Sequence, residues 1–245
     1  MIKTTSLLLT AVASFTDSAT FVGADKLFSA HVTGNFIVLA YDIIHGADAN
    51  EWSKLLAFPV FFAAVMVAGR IANRKTGAVL GEGQADALVA GGGLGGPGVR
   101  GGGDGGDRLL RIEGFLLLLA GLVAAGMRWG HFGHVWLLVL VSMTIVVAMA
   151  FQNAFGRLYV KRVYGPTTVM TGNVTSAALD IAALLLDRKA HPEKLDPLRH
   201  NLAMILVFLA GCFAGASCAY FLGLVAVVAP GVLVLAYGLG TRHFA

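Results

Sequence analysis

The chain has 245 residues, 57% of them hydrophobic and only 13% charged, with 18 Lys and Arg against 14 Asp and Glu for a formal net charge of +4. Together with a mean hydropathy of +0.76, this composition excludes a soluble domain and describes an integral membrane protein. The basic balance sits in loops without interleaved aromatic residues, so nucleic acid is excluded as a partner.

Spanning about 30 Å of hydrocarbon takes roughly 20 residues of helix. Taken in chain order, the first apolar run is Leu7–Val22, with Asp17 inside it. Its start, Lys3 with Leu7-Leu8-Leu9 and Ala11-Val12-Ala13, is similar to a cleaved leader. The run nevertheless continues past that cleavage site to Val22, and Phe15-Thr16-Asp17 has a counterpart far along the chain, so a retained helix is the better reading. Phe28–His45 follows as a short, more polar candidate, and Leu55–Ala72 as a clear span. From about Thr76 to Asp107 glycine dominates and no apolar periodicity survives, which reads as a flexible linker. Within it, Gly91-x-Gly93-x-x-Gly96 has the form of a dinucleotide fingerprint but lacks a preceding strand, and Gly101-Gly102-Gly103-Asp104 lies outside any apolar segment, so neither carries function.

Beyond the linker come Leu109–Met127, Val135–Phe155, Pro166–Leu186 with proline at its first turn, Asn201–Leu222 and Leu224–Leu239. The fold class is therefore all-α, a polytopic transmembrane bundle of about six to eight helices with seven or eight favoured. Strand-like alternation is absent, and backbone groups in lipid must be satisfied within the chain. Residues 1–75 are expected to form the N-terminal part of a first repeat, 76–108 the linker, 109–134 a helix completing that repeat, and 135–245 a second repeat. Cys212 and Cys218, six residues apart on one helix, point to different faces and do not pair. Gly211-x-x-x-Gly215 is a helix-contact motif. Arg111 and Glu113 read as interface anchors, and Trp129, Trp136 and Tyr159 as belt aromatics.

The repeat rests on polar residues. Thr33-Gly34-Asn35 with Asp42 recurs as Thr171-Gly172-Asn173 with Asp180, the carboxylate nine residues after the threonine in both. Upstream, Phe15-Thr16-Asp17-Ser18 matches Phe151-Gln152-Asn153-Ala154 once two residues are inserted in the second copy. Asn35 and Asp42 share one helix face about 10 Å apart, as do Asn173 and Asp180 with Ser176 between. A carboxylate at membrane depth costs roughly 2.5–3.5 kcal/mol on insertion scales, so it should face the bundle interior, a partner or water. The glycines permit close approach or a local break, and Thr33 and Thr171 are expected to cap the helices that follow. Broken helices at equivalent places in two halves are what secondary transporters use to build a midplane site. The competing reading makes the same residues interhelical hydrogen-bond glue. His31 is a weaker candidate, better read as a loop histidine at the membrane surface.

Charge leaves the orientation open. With eight crossings, the cations around the linker (Arg70, Arg74, Lys75, Arg100, Arg108, Arg111) and Arg157, Lys161 and Arg162 fall on one side. Arg188, Lys189, Lys194 and Arg199 then fall on the other.

The elements Phe15-Thr16-Asp17-Ser18, His31-Val32-Thr33-Gly34-Asn35, Phe151-Gln152-Asn153-Ala154 and Val169-Met170-Thr171-Gly172-Asn173-Val174-Thr175-Ser176 resemble the YoaK family, also called the DUF1275 or UPF0700 family. The resemblance covers most of the chain except the glycine-rich linker. It implies a bacterial inner-membrane protein of about six or more helices in a family without a firmly assigned activity. The chain departs from the pattern at Ser14 and at Ala150-Phe151, where glycine is expected, and in the long glycine-rich insertion.

The expected function is a secondary transporter or permease of a small solute, proton- or cation-coupled through its carboxylates. Its expected binding residues are Asp17, Thr33, Gly34, Asn35, Asp42, Gln152, Asn153, Thr171, Gly172, Asn173 and Asp180. The alternatives are an intramembrane enzyme using Asp17 with Asp42 or Asp180, and a non-catalytic scaffold. No Walker motif supports ATP coupling, no cofactor or metal is expected, and the partners are membrane lipid and a small solute or ion, with a homo-oligomer allowed.

Overall fold

The structure, a computed structural model, describes residues 4–46, 52–73, 103–130, 134–160, 162–163, 167–168, 170–186 and 195–240. These residues form α-helices and no strand: α1 (Thr4–Gly23), α2 (Gly34–Ile44), α3 (Trp52–Asn73), α4 (Gly103–Trp129), α5 (Val135–Leu158), α6 (Thr171–Leu186), α7 (Leu195–Leu222) and α8 (Val228–Gly240). A 3-10 turn, Gly223–Val227, joins the last two. By length and composition α1, α3, α4, α5 and the continuous 46-residue run Leu195–Gly240 are apolar enough to cross a membrane. The protein is thus a multi-pass helical membrane bundle.

Two expectations shift. The helix expected from Pro166 begins at Thr171 and has 16 residues, about 24 Å, while α2 has 11 residues, about 16 Å. Neither matches the length of the spans around it. The first turns of α4, from Gly103, fall inside the segment expected as linker, and residues 76–102 lie outside the described ones.

Contacts between helix ends sort the bundle into two faces. At the first face, Lys26 and Lys54 meet Asp42 at 3.3 and 2.8 Å, which gathers the ends of α1 and α2 with the start of α3. Arg128 donates to the Phe221 carbonyl at 2.9 Å, adding the ends of α4 and α7. At the second face, Thr5 bonds Tyr237 and Arg111 Nε donates to the Gly238 carbonyl at 3.0 Å, joining the starts of α1 and α4 to the end of α8. Arg162 and Asp107, 2.7 Å apart, tie the end of α5 to the start of α4. The run from Leu195 to Gly240 therefore reverses direction, and Gly223 supplies the left-handed residue (φ +62°) the reversal needs.

Helix pairing is specific. α1 runs parallel to α7, where a Cβ on Gly211 would strike Ser14 and the Ala11 carbonyl and one on Gly215 the Phe15 backbone, so the Gly211-x-x-x-Gly215 motif is a packing contact. α4 and α8 run antiparallel in constant register: Gly114 lies against Leu235, Gly121 against Val228, Gly231 against Leu118 and Gly238 against Arg111. α5 packs on α3 and α4, α2 on α3, and α6 on α7. Between α1, α7 and α8 lies an apolar cavity of about 460 Å³ that reaches Phe15. Glu113, expected at the interface, is fully buried in α4, and Tyr159, expected in an aromatic belt, is buried and stacked on Phe155. Trp129 and Trp136 are exposed as belt residues should be.

Candidate functional site

Past the end of α1 the chain turns back sharply, with Asp25 (φ 51°) and Lys26 (φ 59°) both in the left-handed region. Such positions cost roughly 1–3 kcal/mol each and persist only when surroundings hold them. Here the holding groups are ions, Lys54 against Asp25 at 3.7 Å and Lys26 against Asp42. The returning segment then descends beside α1. The amides of Ser29 and Ala30 both donate to Asp17 Oδ1 at 2.7 Å, and the Ser29 hydroxyl does so at 3.3 Å. Asp17 lies six residues inside the end of α1, so this contact sits about 9 Å below it. Asn35 clamps the same segment: its Oδ1 accepts from the Phe28 amide and its Nδ2 donates to the Phe28 carbonyl, both at 2.8 Å.

In the second half the segment before α6 is held by neutral groups. Asn153 Oδ1 accepts from the Thr168 hydroxyl at 2.8 Å, while Gln152 Nε2 donates to the Thr167 hydroxyl at 3.3 Å and to the Leu9 carbonyl at 2.7 Å. Asn173, buried like Asn35, directs Nδ2 at Met170 Sδ. The two returning segments meet. His31 Nδ1 sits 2.5 Å from Asp17 Oδ2, and the same imidazole faces the backbone of Thr168. Phe208 of α7 and Phe28 approach the ring edge-on, with centroids at 6.0 and 6.4 Å.

Of the residues singled out in the sequence, Asp17, Asn35, Gln152, Asn153 and Asn173 thus line or hold these segments. Asp42 is buried as well, but at the first face, where Lys54, itself only 1% exposed, neutralises it. Thr33, Thr171 and Gly172 are exposed and Asp180 is half-buried. The capping role expected for Thr33 is corrected: its backbone is helical (φ −67°, ψ −24°) and its side chain makes no cap bond, because the Asn35 and Phe36 amides a cap would serve already donate to the Val32 and Thr33 carbonyls. The glycines also differ. A Cβ on Gly34 would press on the Phe28 ring at 3.0 Å, whereas one on Gly172 meets nothing within 4 Å.

His31, read from sequence as a surface histidine, is the side chain of the first returning segment that meets the second. The signal was its place two residues before Thr33, but nothing in the sequence says that the segment folds inward. Lys54 gave no signal, since it opens an otherwise apolar run.

The family model of DUF1275, described as a protein of unknown function, matches residues 5–240. No curated protein and no solved structure matches the chain.

Proposed function

The chain belongs to the DUF1275 family, described as of unknown function, and we propose that it is a permease of the bacterial inner membrane, a secondary transporter that passes a small solute at the meeting point of its two interrupted segments. The observation that carries this reading is the contact of His31 with Thr168, where a segment anchored on Asp17 touches one anchored on Asn153. Interrupted helices at matching places in two repeats expose backbone and polar side chains to a ligand at membrane depth, where a continuous helix has none to offer. Asp17 with His31 is the titratable pair available for coupling.

A scaffold is the second reading, favoured by the completeness of the bonding at Asp17, whose Oδ1 accepts three hydrogen bonds from within the chain. The enzyme reading has less support. It needs two carboxylates around one water, whereas Asp17 is engaged by Ser29, Ala30 and His31 and Asp42 by two lysines.

The test is thermal unfolding of the purified protein across a panel of small solutes and ions at two pH values, with wild type, Asp17→Asn and Asn173→Ala. A solute at 100 times its Kd stabilises the folded state by about 2.7 kcal/mol. A shift of that order, lost in both variants and matched by uptake of the same solute into proteoliposomes, supports the permease. No shift for any solute, with both variants merely less stable, supports the scaffold.

A further inference from the structure

We infer that α2 and α6 enter the membrane and leave it on the side they came from, so that six segments cross, both ends of the described chain share one face, and the two halves are inverted copies of each other.

For α2 the argument is a contact. Lys26, just past the end of α1, meets Asp42, near the end of α2, at 3.3 Å, and Lys54 at the start of α3 reaches Asp25 at 3.7 Å. Had residues 28–45 crossed, those groups would stand about 30 Å apart. For α6 the argument is reach. α7 runs parallel to α1 and so starts at the second face, and only eight residues separate Leu186 from Leu195. Fully extended they span roughly 30 Å at the most, so a crossing α6 would need the whole connection drawn taut back through the hydrocarbon with its backbone groups unsatisfied; α6 therefore ends near the second face, next to which α5 also ends. The start of α6 lies inside, since Thr168 bonds Asn153 about 7.5 Å before the end of α5. The crossing segments are then α1, α3, α4, α5, α7 and the 18 residues Gly223–Gly240, three in each half. An odd number per half makes a repeat inverted.

Two independent features agree. Mapping α1 to α5, α2 to α6 and α3 to α7 turns the α1–α7 contact into α5–α3 and the α2–α3 contact into α6–α7, and all four occur. Charge also becomes consistent. Among the described Lys and Arg residues, only Lys26, Lys54 and Arg128 belong to the first face. Arg70, Arg108, Arg111, Arg157, Arg162 and Arg199 stand at the helix ends gathered at the second, which by the positive-inside rule faces the cytoplasm. The division of basic clusters that eight crossings impose disappears.

The experiment labels single cysteines in the full chain, with Cys212 and Cys218 replaced by serine, using a membrane-impermeant maleimide on intact expressing cells and again after permeabilisation. Asp25→Cys, His45→Cys and Trp129→Cys are expected to label fully in intact cells, and Arg70→Cys, Arg157→Cys and Leu195→Cys only after permeabilisation. Labelling of Asp25→Cys and His45→Cys from opposite sides, or of Arg157→Cys and Leu195→Cys from opposite sides, overturns the proposal. As a second readout, the Lys26→Cys/Asp42→Cys pair is expected to be cross-linked within one chain by a short bismaleimide, whose span replaces the lysine stem that bridges the two positions. No cross-link in a protein that elutes as wild type also overturns it. Neither readout depends on transport.

Discussion

At the scale of single residues, Asp17 and Lys54 do the most. Asp17 takes two backbone amides that otherwise lie buried without acceptors, and each such orphan costs roughly 1–3 kcal/mol. Asp17→Ala is therefore expected to destabilise by at least 2 kcal/mol on that scale. Asp17→Asn, which keeps an acceptor toward Ser29 and Ala30, should lose less than half as much in thermal unfolding in detergent. Equal losses would mean that the charge, rather than the acceptor, holds the segment. Lys54 is a buried cation between two carboxylates. Removing one partner of a buried pair costs about 3–5 kcal/mol because the other charge stays uncompensated. Lys54→Met is thus expected to lower the melting temperature clearly, and Lys54→Met with Asp42→Leu to regain most of the loss. The importance of Asp17 was legible in the sequence, since a carboxylate inside an apolar run demands a partner. The partners were not, because Ser29, Ala30 and His31 bind it through a chain reversal that leaves no periodic trace.

Among the elements, α2 inverts the usual order of burial. Its buried side chains are Asn35 and Asp42, while Ile37, Ile43 and Ile44 are exposed. The sequence placed those two polar residues on one face correctly, yet its apolar content made the segment look like a poor span rather than half of one. The α4–α8 pair is the opposite case, a full-length interface built from glycine. A Cβ on Gly114 would lie 2.7 Å from the Leu235 amide nitrogen and one on Gly231 2.8 Å from that of Leu118. Backbone cannot yield as a flexible side chain does, and overpacking of this kind costs roughly 1–3 kcal/mol. Gly114→Ala and Gly231→Ala are expected to be destabilising by that amount. Gly126→Ala and Gly172→Ala, with nothing within 4 Å, should be neutral or stabilising by about 0.5–1 kcal/mol. A melting series across the four variants checks the contrast. Gly114, Gly121, Gly231 and Gly238 gave no motif at shorter spacing, so their role emerges only when two distant helices are set side by side.

Across the whole molecule, the halves exchange partners: the first helix of each packs on the third helix of the other, α1 on α7 and α5 on α3. Neither half can bury its own faces alone. A chain ending at Gly130 is expected to aggregate when expressed by itself, and the same piece co-expressed with residues 134–245 should co-purify as one particle of the intact protein's size. A monodisperse first half would contradict this. The class of protein and most helix positions followed from composition and run length, which report burial in lipid directly. The meeting of the two returning segments at His31 and Thr168 did not, because it depends on where two non-helical segments stop.

The paired returning segments, taken together, hide from the commonest topology experiment. Counting one of them as a crossing flips the sidedness of everything after it, but counting both restores the parity. A reporter fused at either terminus therefore reads the same for six crossings as for eight, and only probes between the end of α2 and the start of α6 carry opposite signs in the two cases.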